Sequence, residues 1–306
     1  AVYLFTWTSI RPYQSGINER DAMRIDTISE TNCFGGTMGF YRHASTANNC
    51  DMQFSVFVPP QAADGEVPVV TFLSGLTCTD ENFMAKSGAQ RDASELGLML
   101  VAPDTSPRGE GVPDDPDGAN DYGLGAGMYV NATEEPWAQH YQMYDYVTRD
   151  LQAAVFENFA GDRNRQGLTG HSMGGHGALT IGLKHAEVFR SLSAFAPICT
   201  TLHSPWGQKS LGHYLGADTS SWREYDASEV ARDVGDASAF GKILVDQGLA
   251  DNFLDEQLQP ERLEAACAES GLQLELRRHE GYDHGYYFIA TFIGDHLNHH
   301  AANLRA

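Results

Sequence analysis

The chain has 306 residues, enough for one large domain with a substantial core. Its 41 acidic residues against 20 Lys and Arg give a formal charge of −21, a surface that repels phosphate and argues against general nucleic-acid binding. No apolar run approaches the roughly 18 residues of a membrane-spanning helix, and five scattered cysteines (33, 50, 78, 199 and 267) at no metal-ligand spacing suit a reducing compartment better than a disulfide framework.

In chain order, residues 1–22 carry no basic region or clear cleavage site and do not read as a signal peptide. Met23 reads as a native start, so 1–22 are expected to be an extension and 23–306 a single domain. Residues 54–59 alternate apolar and polar and stop at Pro59-Pro60, as a strand does. Residues 68–73 form a short apolar run that reads as a buried strand. Residues 79–96 read as a helix with Asp80 as its N-cap, and 98–102 as a third strand. From 104 to 127 the chain is rich in Gly, Pro and Asp, a loop of the length that is usually functional or disordered. Helical periodicity over 141–159 precedes a short strand at 167–170 and a helix of small residues over 174–185. Strands at 191–196, 242–245 and 272–276 follow, with an amphipathic stretch over 255–270 and a last helix over 286–300. Short apolar strands alternating with helices predict an α/β class, with a mostly parallel central sheet covered on both faces.

Within this pattern, Gly170-His171-Ser172-Met173-Gly174 falls between a strand and a helix. Gly-x-Ser-x-Gly at such a turn is the signature of a nucleophile elbow, the tight bend of the α/β-hydrolase fold. A serine is a poor nucleophile alone and needs a histidine base and a carboxylate to orient it, in the chain order Ser, acid, His. His284, in Gly281-Tyr282-Asp283-His284-Gly285 before the last helix, is the candidate base. Two aspartates compete for the acid: Asp246 ends a strand, and Asp251 lies in the loop beyond it. Position favours Asp251 modestly, with Asp246 read as a loop-stabilising residue. His171 and His176 are assigned to packing around the elbow. His296 and His300 stand four residues apart, as a metal pair might, but without a carboxylate partner they are read as solvated or capping. The backbone N–H groups of Met173 and of Leu76, in the loop after the second strand, are candidate oxyanion donors.

The stretches Leu73-Ser74-Gly75-Leu76-Thr77-Cys78, Val101-Ala102-Pro103-Asp104, GHSMGGHGAL from Gly170, Ser204-Pro205-Trp206-Gly207-Gln208-Lys209, Val245-Asp246-Gln247-Gly248 and Gly281-Tyr282-Asp283-His284 resemble the S-formylglutathione hydrolase (esterase D) family. The resemblance runs from about residue 24 to residue 300. It implies hydrolysis of S-formylglutathione to glutathione and formate, the last step of glutathione-dependent formaldehyde removal, with side activity on short acyl esters. It maps the nucleophile, acid and base to Ser172, Asp251 and His284, and the oxyanion donors to Leu76 and Met173. It also implies a cytosolic, cofactor-free and commonly dimeric enzyme whose partner is a small thioester or ester, with no metal and no nucleic-acid or membrane partner. Cys78 and Trp206 are expected near the pocket, each with packing as the competing role. Lys86 and Arg108 are expected to meet the carboxylates of glutathione or to be solvated. One departure stands out: Gly285 follows the candidate base where the family usually has serine.

Overall fold

The computed structural model describes residues 24–305, so the expected 1–22 extension lies outside the described residues. A nine-stranded sheet runs through them in the spatial order β1-β2-β3-β5-β4-β6-β7-β8-β9. The strands are β1 (Ile25–Cys33), β2 (Gly36–Ser45), β3 (Cys50–Val58), β4 (Val67–Leu73), β5 (Met99–Pro103), β6 (Gly161–Gly170), β7 (Phe189–Phe195), β8 (Ile243–Gly248) and β9 (Leu274–His279). The three pairings at the N-terminal edge are antiparallel. Those from β5 through β9 are parallel. The expected mostly parallel sheet is therefore present, with an antiparallel N-terminal flank.

The hairpin β1–β2 was not expected from the sequence. Nearly all of β1 is exposed, so its side chains show no buried alternation that could mark a strand. The buried parallel strands, such as β5 with all five residues buried, are the ones that read clearly.

The helices are α1 (Asp80–Lys86), α2 (Ala89–Leu96), α3 (Leu151–Asn158), α4 (Met173–Lys184), α5 (Pro205–Leu215), α6 (Ala227–Arg232), α7 (Pro260–Ser270) and α8 (Tyr286–Asn303). The helix expected over 79–96 is divided, because the chain turns through left-handed Gly88 between α1 and α2. Its N-cap is Thr79 rather than Asp80. Thr79 and Asn82 form a reciprocal capping box, and Asp80 is the first helical residue, buried. The helix expected over 141–159 runs as Met143–Asp145, a π-turn at Tyr146–Asp150, and then α3.

Side-chain alternation along β7 shows that the sheet is covered on both faces. Gly182 of α4 lies so close to Leu192 that an added Cβ would come within 2.3 Å of its Cδ2. Ser191 and Ser193, pointing the other way, bond to His300 of α8. Helices α4 and α8 therefore lie on opposite sides of the strand that flanks β6.

His296 and His300 correct the expectation of solvated or capping side chains: both are fully buried. His296 Nδ1 lies 2.9 Å from Ser193 Oγ, and His300 reaches Ser191 and Ser193 at 2.8 and 2.9 Å. Burial drives the pKa of each histidine below its ordinary value, favouring the neutral ring that hydroxyl partners can satisfy. Among the described residues, no cluster of His, Cys, Asp and Glu is arranged to hold a metal ion.

Candidate active site

The elbow is enforced by close packing. Ser172, between β6 and α4, has φ 58° and ψ −119°, a backbone conformation that a non-glycine residue adopts at a cost of roughly 1–3 kcal/mol. A Cβ on Gly170 would fall 2.2 Å from the Gly174 carbonyl oxygen, and one on Gly174 would fall 1.9 Å from that of Leu73. Both motif glycines are thus required by contact with backbone, which cannot move aside. The strained serine is held on both sides: its N–H donates to Phe195 O at 3.0 Å, and its carbonyl accepts from His176 N–H at 3.0 Å.

The loop after β4 passes directly over this serine. A Cβ on Gly75 would lie 3.1 Å from Ser172 Cβ. Thr77 N–H donates to Gly125 O at 2.8 Å, and Cys78 N–H to Gly75 O at 3.2 Å. Among the described residues the N–H groups of Leu76, which lines the cavity with Ser172, and of Met173, next to Ser172 in the chain, donate to no protein acceptor. Below the loop, Thr105 Oγ1 donates to the Cys78 carbonyl at 2.5 Å. Arg108 also donates to that carbonyl, at 3.3 Å, while its Nε donates to Asp104 at 2.8 Å. Arg108 is therefore engaged in bracing the loop and does not line the cavity, whereas it was expected either to meet substrate carboxylates or to be solvated.

The two competing aspartates separate cleanly. Asp251 Oδ2 lies 2.5 Å from His284 Nδ1, and its Oδ1 accepts the Phe253 N–H at 2.9 Å. The two loops that carry them meet through Ala250 N–H, which donates to Tyr282 O at 2.9 Å. Gly248 permits that approach, since a Cβ there would fall 2.4 Å from the same carbonyl. Asp246 instead accepts two bonds of 2.6 Å from Arg277 and lies near His279 and His296. These partners hold its carboxyl far below the usual carboxylate range despite burial.

Ser172, His284, Leu76, Cys78 and Trp206 all line one cavity of about 520 Å³, within the usual range for small-molecule sites. Ser172 is only 3% exposed. His171, beside it, is buried against the His284 ring at 4.4 Å between centroids. Burial and the neighbouring His284 keep its pKa well below that of an ordinary histidine. His176 is likewise buried and packs away from the cavity, with Nε2 3.1 Å from Met128 O, as expected for a packing role. A hydrogen bond between Ser172 and His284 is not among the contacts within 24–305; such contacts commonly tighten in the Michaelis complex. The Cys78 thiol is pushed up by burial, which favours the protonated form over a reactive thiolate.

The sequence reading missed several lining residues. Phe253 stacks obliquely on Trp206 at 4.7 Å and meets the His284 ring edge-on at 5.1 Å. Tyr286 follows His284 by two positions, and Asn120 and Asp121 come from the long loop. The proximity of Phe253 to Asp251 and of Tyr286 to His284 in sequence was the available signal; for the loop there was only its length.

A strained, buried serine elbow lining a cavity, on a sheet of this topology, defines an α/β-hydrolase. Residues 45–299 match the family described as "Putative esterase". The S-formylglutathione hydrolase of Mus musculus is 49% identical over 285 residues, covering 93% of this chain and all of that protein. That of Paracoccus denitrificans is 50% identical over 282 residues, covering 92% of this chain and 99% of the relative. A solved S-formylglutathione hydrolase from Agrobacterium tumefaciens superposes with a TM-score of 0.88 at 49% identity, covering 91% of this chain and 99% of the other. The chain belongs to the S-formylglutathione hydrolase family of esterases. A Staphylococcus aureus fluorophosphonate-binding serine hydrolase, 16% identical with a TM-score of 0.70 over 87% of this chain and 98% of its own, shares the fold.

Proposed function

We propose that this protein hydrolyses S-formylglutathione to glutathione and formate, with side activity on short-chain acyl esters. Identity of about half the residues to hydrolases of that name, over essentially their full length, is the observation that carries this reading. In the proposed cycle Ser172 Oγ attacks the thioester carbonyl while His284 takes its proton. Asp251 holds the imidazole by Nδ1 and stabilises its charged form. The N–H groups of Leu76 and Met173 receive the negative charge that develops on the carbonyl oxygen. Collapse breaks the C–S bond and releases glutathione, protonated at sulfur by His284 or solvent. Water, activated by the same histidine, then cleaves the formyl ester of Ser172 and frees formate.

We further propose that residues 23–306 act as one hydrolase unit, with 1–22 peripheral to function, and that the protein works as a cytoplasmic homodimer without a cofactor. Trp206 and Cys78 are taken as walls of the substrate pocket, in keeping with their place in the cavity lining. The test is kcat/KM for S-formylglutathione beside formyl, acetyl and butyryl esters. The reading expects the formyl thioester to lead and rates to fall as the acyl chain lengthens. Rates that rise with chain length would overturn it in favour of a general carboxylesterase.

A further inference from the structure

The chain carries more than two acidic residues for each Lys or Arg, and only four lysines in all. One of them, Lys86, is the only Lys or Arg lining the cavity among the described residues. It ends α1, is exposed, and lies 5.3 Å from the centroid of the Tyr286 ring. No carboxylate lies within ion-pair distance of it among the described residues. The acidic lining residue Asp121, by contrast, is already neutralised by Lys209 at 2.7 and 3.0 Å. Asn82, one turn before Lys86 and also lining the cavity, spends its side-chain oxygen on the Thr79 N–H, which leaves its amide NH2 available.

Ser172 is buried and Lys86 exposed, yet both line the same cavity, so a thioester with its acyl carbon at Ser172 has its thiol portion in the space that Lys86 borders. The leaving thiol in the reading above is a tripeptide with two carboxylates. A net charge of −21 works against such a substrate, and an exposed ammonium in the cavity lining offsets that locally. We propose that Lys86, assisted by the Asn82 amide, is the subsite for a carboxylate of the leaving group and sets the preference for anionic over neutral thioesters. This rests on the assignment of a glutathione thioester as substrate. It goes further in naming the residue that reads the charge of the thiol.

The experiment compares kcat/KM for S-acetylglutathione and for the same thioester of glutathione diethyl ester, in wild type, Lys86→Met, Lys86→Glu and Lys86→Arg, at low and high salt. An exposed ion pair predicts that the anionic-to-neutral ratio falls about threefold in Lys86→Met and about tenfold in Lys86→Glu, through KM rather than kcat. Lys86→Arg should keep the ratio near that of wild type. The gap between wild type and Lys86→Met should close at high salt, where the attraction is screened. An unchanged ratio in Met and Glu variants, or an equal loss on both substrates, overturns the proposal. Because both probes carry the acetyl group, the outcome is independent of formyl preference, whose failure would appear only in the acyl-chain series.

Discussion

Asp246 and Asp251 lie five residues apart, both are buried, and both touch histidine, yet the fold uses them differently. Asp246, at the end of β8, is enclosed by Arg277, His279 and His296, and every partner belongs to the protein interior or its rim. Asp251 has one histidine, 2.5 Å away, and that histidine lines the cavity with Ser172. Burial and a histidine neighbour are common to both and do not by themselves tell them apart. What matters is whether the histidine's other nitrogen is free for chemistry. His296 spends both ring nitrogens inside the protein, on Ser193 and toward Asp246.

Asparagine at each position should therefore produce opposite signatures. Asp251→Asn should lower kcat by about 10⁴-fold, through loss of the correct His284 tautomer, with little change in thermal unfolding. Asp246→Asn should leave the Asp251–His284 pair intact but remove one of the two carboxylates that Arg277 pairs with, the other being Asp295, at about 2 kcal/mol of stability. Urea unfolding and steady-state kinetics on the two variants check this pair, and a reversal of the two phenotypes would exchange their assigned roles.

The contrast extends to pH. Asp246, held low, contributes stability that is present above the ordinary carboxylate range and lost as pH falls through its folded-state value. Asp80 is the reverse case. Burial and the nearby Asp104 raise its carboxyl to about 7. The folded state then binds a proton that the unfolded chain has released, so stability falls as pH rises from about 4 to about 7. Asp80→Asn should remove this slope, worth roughly 4 kcal/mol at most, and unfolding free energies measured at several pH values would reveal it. An identical pH profile in wild type and variant would contradict the raised carboxyl.

The smallest effect concerns Gly285. It occupies the N-cap of α8 with φ −86° and ψ 173°, backbone that any residue adopts, and no side chain caps the helix there. The atoms nearest an added Cβ belong to the exposed Asp283 carboxylate, the closest at 3.1 Å. Gly285→Ser should add a few tenths of a kcal/mol to stability, with activity retained. A shift in melting temperature of about 1 °C would register it.

The site was more legible in the sequence than the sheet's N-terminal flank, for a physical reason. Gly170, Ser172, Gly174, Asp251 and His284 are identities that the local chemistry demands, so the motif, the chain order and the resemblance located them together. Chain position favoured Asp251 over Asp246 only modestly, because their difference lies in Arg277 and His296, which are distant in sequence. Strand β1 was illegible because it buries almost nothing. The buried state of His296 and His300 was equally hidden, since their hydroxyl partners on β7 are more than 100 residues away. Asn120 and Asp121 reach the cavity only through the path of a long loop.

Whether Ser172 carries the acyl group is decided by kcat/KM for S-formylglutathione in Ser172→Ala. A serine nucleophile at this position entails a loss of about 10⁶-fold in a protein with unchanged thermal unfolding. Near wild-type turnover in that variant would contradict it.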